Sequence, residues 1–259
     1  MERLVCRLFK ISSQPALLMA GIIPWACPVP YFGSLFDSRI ATLSLNPSNI
    51  EFMDSSSMEL SGNQRRFPTL NHFNLRHWNA AGIREAKQVL NFCDMYFRKN
   101  PYKKWFNPLN DIISETGFSY YLNTACHLDL VPFATIKKWG GLNATQKSTL
   151  LHNGVKHLPE VLNASNIDVI IANGQSTVNY LNAWAKLTPK PSLQPTWQIC
   201  TNTERPVNGY SYEGTLTTIG GISLNRQIRF LGFNHNIQSS VGMTHICRRE
   251  IQTWVTNNI

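Results

Sequence analysis

The sequence predicts an α/β fold, a single domain with a four-stranded, mostly parallel sheet flanked by helices. Short β-rich runs alternate with longer segments of helical periodicity, the pattern of a parallel sheet covered on both faces. Each run stops at a polar or Gly-containing turn. The chain of 259 residues, 43% hydrophobic, is also long enough to bury one sizeable core.

The elements follow in order. Residues 1–27 read as an N-terminal lead-in. Basic residues precede a short apolar run from Ala16 to Ile23, but the run is bounded by Pro15 and Pro24 and has no small-residue cleavage site, so a cleaved leader is not expected. Residues 28–259 read as the α/β domain. Its strands fall at 40–45 (IATLSL), 119–122 (SYYL), 168–172 (DVIIA) and 228–233 (IRFLGF), with a weaker fifth at 196–200. Between them, residues 80–98 place Ile83, Ala86, Leu90, Cys93 and Phe97 three or four apart, an amphipathic helix. Residues 145–162 and 176–187 read likewise, and residues 244–255 put Ile246, Cys247, Ile251, Trp254 and Val255 on a broad apolar face expected to pack on the sheet. Residues 201–221, with four glycines around Tyr210 and Tyr212, read as an excursion before the last strand.

Composition narrows the function. Charged residues are 15% of the chain against about 25% usually, and 24 Lys and Arg face 15 Asp and Glu for a net charge of +9. A polyanionic partner is the natural expectation, with DNA foremost. Disorder, collagen and coiled coil are excluded, and no stretch approaches the ~18 apolar residues of a membrane span. The six cysteines form no CxxC pair and no metal-ligand spacing with His, so a zinc or iron–sulfur site is not expected, and the thiols suit a reducing cytoplasmic compartment.

Ligands of open α/β sheets bind beyond the carboxyl ends of the strands. Here those positions carry Asn46-Pro47-Ser48-Asn49, Asn123-Thr124, Asn173-Gly174-Gln175 and the run from Asn234 to Ser240. There is no Gly-rich phosphate loop and no nucleophile elbow. Amides, one His and small hydroxyls suit the reading of a base edge and the placing of a water.

The runs ATLSLNPSNIEF, YYLNTACHLDLVP, DVIIANGQ and RFLGFNHNIQSSVG, in this order, resemble the motifs of the uracil-DNA glycosylase superfamily. The resemblance spans about residues 28–254 and implies that fold and base excision from DNA, without cofactor, metal or obligate protein partner. It implies that Asn46 positions the water, that Asn123 reads the base, and that His235 or, one place along, Asn236 stabilises charge on the departing base. Phe52 is its candidate for stacking on the extruded base, with Tyr31 and Phe32 as competitors. Ile237 or Gln238 is left to fill the vacated stack, with Ser239 and Ser240 beside them on the DNA. His127 and Asp129 form either a second polar pair in the pocket or a structural link. Lys103 and Lys104, among aromatics, suit phosphate contacts or a solvated helix end. Each motif also has a plainer reading: a turn and helix cap at residues 46–49, a turn at Asn123, a satisfied His at position 235.

Uracil-restricted members of that superfamily carry a Tyr after the motif's Pro, beside the pyrimidine C5. Ser48 stands there, so with Asn49 it leaves room and hydrogen bonds for a polar 5-substituent. The resemblance therefore implies a monofunctional glycosylase acting on a 5-substituted cytosine, hydroxymethylated or glucosylated as in phage DNA, in a prokaryotic defence setting. Alternatives are a uracil or thymine-mismatch repair glycosylase, a nucleic-acid binder without catalysis, and an α/β enzyme acting on something other than nucleic acid.

Overall fold

The computed structural model describes residues 1–200 and 205–259. They form an α/β fold with helices flanking a mixed sheet. Its parallel half consists of β1 (Ile40–Ser44), β2 (Ala125–Asp129), β3 (Val169–Asn173) and the end of β6 (Ile222–Phe233). The antiparallel half adds β4 (Ser192–Cys200) and β5 (Pro206–Ile219), in the order β2-β1-β3-β6-β5-β4. Every residue of β1, β2 and β3 is buried, as expected of strands covered on both faces.

The expected four-stranded sheet is therefore too small: six strands are present among the described residues. The difference lies in residues 201–221. Residues 201–204 are outside the described residues, but most of the remainder is the long strand β5. Its glycines suggest a loop, yet Gly209 is where Trp197 of β4 crosses closely, leaving no room for a side chain. The weaker candidate at 196–200 is the end of β4.

The expected strand at 119–122 is a turn. Asn110 Oδ1 accepts hydrogen bonds from Ser119 Oγ at 2.9 Å and Tyr120 N at 3.0 Å, and Thr124 Oγ1 accepts from Ser119 N at 2.9 Å. These side-chain bonds compete with a ladder and win. Strand β2 begins at Ala125, and its two buried polar residues, His127 and Asp129, disguise it in the sequence.

The helices follow the predicted periodicities with shifted ends. Residues 80–98 become α3 (Ile83–Asp94) and a short turn, and residues 176–187 become α7 (Gln175–Ala185). Residues 145–162 divide into α5 (Ala144–Gly154) and α6 (His157–Asn163). Pro159 explains the break: it has no N–H for a continuous helix and sits in the first turn of a new one. The last helix, α8, spans His245–Asn257, and α4 (Lys103–Ser114) was not foreseen. Residues 1–27 do more than lead in. Helices α1 (Glu2–Ser12) and α2 (Pro15–Met19) send Leu4, Val5, Leu8, Phe9 and Leu17 into the same core as the sheet, and Phe9 stacks on Trp78 at 4.9 Å. Among the described residues, no helix is long and apolar enough to cross a membrane.

The in-register parallel pairing of Ser44 with Asp129 and of Asn173 with Phe233 aligns the strand ends along one edge. Replacing Gly209 with Ala forces a methyl into Trp197 and is expected to cost about 1–3 kcal/mol. The check is a lowered urea midpoint with an unchanged slope.

Candidate active site

Beyond that edge lies a cavity of ≈ 560 Å³, within the usual range of small-molecule sites. The loop after β1, the end of β2, the start of α7 and the loop after β6 all reach it, with an aromatic wall of Phe32, Tyr102, Trp105 and Phe106.

The loop after β1 is pinned by amides. Asn46 Nδ2 donates to Pro47 O at 3.2 Å, Phe133 O at 3.2 Å and Thr135 Oγ1 at 3.1 Å. Thr135 spends its own proton on Lys137 O at 2.7 Å, so it can only accept from Asn46. All three neighbours are acceptors, which fixes the amide's orientation and leaves Oδ1 without a partner among the described residues. Asn49 Nδ2 is tied in the same way to Ile136 O at 3.2 Å, and Ser48 Oγ accepts from Ile50 N at 3.3 Å.

Two carboxyls and an imidazole line the same cavity. His127 Nδ1 lies 2.6 Å from Thr42 Oγ1, which is bonded in turn to the Tyr120 hydroxyl. Its Nε2 lies 3.5 Å from Asp129 Oδ1, long for a hydrogen bond, and Oδ1 has no other partner among the described residues. Burial raises the Asp129 pKa, against the pull of His127. Glu51, buried to 2% exposure, accepts from the Tyr96 hydroxyl at 2.7 Å, and burial pushes its pKa up to about 7.

The loop after β6 places His235 and Asn236 differently. His235 is buried outside the cavity, its Nε2 2.8 Å from Trp197 O, which must accept. Desolvation lowers its pKa, so it is a neutral tie between β6 and β4. Asn236 lines the cavity. Its Oδ1 caps the loop by accepting from Gln238 N, Ser239 N and Ser239 Oγ, while Nδ2 has no partner among the described residues. Gly174, at φ 93°, starts α7 beside it, and the first-turn N–H groups of Ser176 and Thr177 are likewise unpartnered donors at the cavity.

No family model matches the chain, and no curated protein matches it.

Other expected site residues lie elsewhere. Asn123 is at the opposite end of β2 from the cavity, in a left-handed turn at φ 58°, accepting from Arg98 Nε at 3.2 Å. The plainer turn reading describes it, and the polar residue at the carboxyl end of β2 is Asp129. Phe52 is buried outside the cavity against Trp25 and Phe67, and the Tyr31 hydroxyl bonds Asp94 Oδ1 at 3.0 Å. Of the three stacking candidates only Phe32 faces the cavity. Ile237 is fully buried, and Gln238 bridges Asn173 Nδ2 and Trp105 O, each at 2.8 Å, so neither is free to enter a base stack. Ser239 and Ser240 do line the cavity.

Lys103 and Lys104 are exposed at the start of α4, directly before Trp105 in the aromatic wall. Sequence reasoning missed Lys137, Lys138 and Trp139, which also line the cavity, although the tripeptide Lys-Lys-Trp occurring twice was a visible signal. Glu51 was missed as well: it lies within the run ATLSLNPSNIEF, where the resemblance gives roles only to its neighbours.

The buried amide of Asn173 holds the β6 loop, accepting from Ile237 N at 3.0 Å while donating to Gln238. Asn173→Ala leaves that buried N–H unsatisfied and is expected to lower stability by about 1–3 kcal/mol, measured by denaturant unfolding.

Proposed function

We propose that the chain is a monofunctional DNA glycosylase that removes a pyrimidine with a bulky hydrophilic 5-substituent, such as a hydroxymethylated or glucosylated cytosine, and leaves an abasic site. The observation that carries the reading is the Asn46 amide. With three acceptors on its nitrogen, its oxygen is held as an acceptor at the cavity, which is what aiming one water at the sugar C1′ requires.

The remaining roles follow from what each group offers. An extruded base needs an aromatic face and hydrogen bonds to offset the few kcal/mol of flipping. Phe32 and its aromatic neighbours supply the face. Asp129, an acceptor when ionised, suits the amino group that cytosine presents at N4 and that uracil and thymine lack. Negative charge on the departing base meets Asn236 Nδ2 and the N–H groups of Ser176 and Thr177, donors already oriented before reaction. Ser48 and Asn49 line the space left for the 5-substituent. The lysines on both sides of the cavity would hold the phosphates, with Trp105 and Trp139 beside them.

The decisive experiment incubates the protein with DNAs that differ in the pyrimidine 5-substituent and detects free base by mass spectrometry. Release from glucosylated or hydroxymethylated cytosine DNA is expected. Release from uracil DNA alone would favour a repair enzyme, and binding without release from any DNA would leave a non-catalytic binder. Asn46→Ala is expected to slow release by at least about 100-fold with DNA binding intact. Ser48→Tyr is expected to close the pocket to 5-substituted cytosine while sparing unsubstituted bases. Replacing Lys103, Lys104, Lys137 and Lys138 with Ala is expected to flatten the dependence of log K on log salt by about 3 to 4 for DNA of any sequence.

A further inference from the structure

The proposed reaction leaves one requirement unmet. Water attacking C1′ must give up a proton, and an amide such as Asn46 cannot take it at neutral pH. A carboxylate on the same loop can. Glu51 ends the short turn Asn49–Glu51 that follows the Asn46-Pro47-Ser48 segment, and both Asn46 and Glu51 line the cavity.

The carboxyl is held on one side only. Oε2 accepts from the Tyr96 hydroxyl, and the same Tyr96 oxygen accepts from Tyr102 N at 2.9 Å, which commits its proton to Glu51. Arg66 Nε stands 4.0 Å from Oε2, with its Nη1 held on Ile50 O at 2.7 Å. Oε1 has no partner among the described residues. We propose that Glu51 is the general base of the reaction: Asn46 aims the water and Glu51 Oε1 takes its proton. The inference rests on the glycosylase reading.

The step balances without a co-reactant. The water oxygen bonds to C1′ and one of its O–H bonds breaks, the proton passing to Glu51. The C1′–N bond breaks with its electron pair leaving on the base. Glu51 or solvent then returns a proton to the base, giving a 1′-hydroxyl sugar and the neutral base.

The surroundings suit the task. Burial raises the carboxyl's pKa, Asp129 on β2 adds to the rise, and Tyr96 and Arg66 oppose it, with the result near 7. A base is most effective with a pKa close to the working pH. The base must be ionised to act, so the rate is lost as pH falls through that value.

The test uses the full chain and a DNA from which the parent releases base. Glu51→Gln keeps the shape and the bond from Tyr96. It is expected to slow release by about 100-fold or more while the melting temperature and DNA affinity stay unchanged. The parent's rate is expected to rise with pH through a limb near 7, and Glu51→Gln to lack that limb. Tyr96→Phe removes a donor that favours the carboxylate, so it should move the limb to higher pH, and this shift decides the matter if Glu51→Gln fails to fold. A Glu51→Gln rate within about threefold of the parent, or a parent rate flat across neutrality, overturns the role of Glu51 and leaves the glycosylase reading standing. A parent that releases no base from any DNA overturns both.

Discussion

The carboxamide of Asn173 joins three walls of the cavity that otherwise share no covalent connection nearby. It ends β3, its oxygen holds the backbone of the β6 loop at Ile237, and its nitrogen holds Gln238, which reaches across to α4 at Trp105 O. Each of these groups is buried or half-buried, so each bond matters chiefly through the cost of leaving a partner unsatisfied. The consequence is geometric. Asn236 and the start of α7 keep their unpartnered donors at one place because the loop beside them cannot shift without orphaning this amide.

A second constraint comes from charge. Glu51 and Asp129 are both nearly inaccessible, yet among the described residues the nearest basic groups are Arg66, 4.0 Å from Glu51, and His127, 3.5 Å from Asp129. Burial raises both pKa values, and at Glu51 the neighbouring Asp129 adds to the rise. A core built for stability alone would be better served by apolar residues of similar size. The carboxyls' presence at a cavity suits the proposed chemistry, at a cost in stability.

Much of the fold was legible because β1, β3 and the end of β6 are mostly apolar, β-rich runs that stop at Asn-containing turns. The illegible parts had specific causes. Strand β2 carries two buried polar residues, and the aromatic pair Tyr120-Tyr121 just before it mimics a strand while side-chain bonds from Asn110 and Thr124 fold it into a turn. Strand β5 carries the glycine that Trp197 needs. At the site, Asn46, Ser48, Asn49, His127, Asp129 and Asn236 do meet at one cavity, since all lie at or near strand ends. Asn123 and His235 do not. One follows a false strand, and the other points its ring at β4, an orientation that spacing alone cannot give.

The cavity's charge is also graded. The lysines and tryptophans of α4 and the loop after β2 flank it, whereas the carboxyls of Glu51 and Asp129 lie nearly inaccessible within it. In a partly enclosed site with low-dielectric walls this arrangement sorts a ligand by its parts. A phosphate is attracted to the flanks and repelled by a carboxyl that is ionised. A neutral group that carries N–H donors, such as an aminopyrimidine, meets no such repulsion and can donate to a carboxylate at the cavity. A nucleotide extruded from a strand is divided in this way, with its anionic backbone outside and its neutral base inserted. A free nucleotide phosphate entering head first is not. Under the proposed function, this gradient would favour a base presented on a polymer over a mononucleotide bound by its phosphate, before any contact to the base is made.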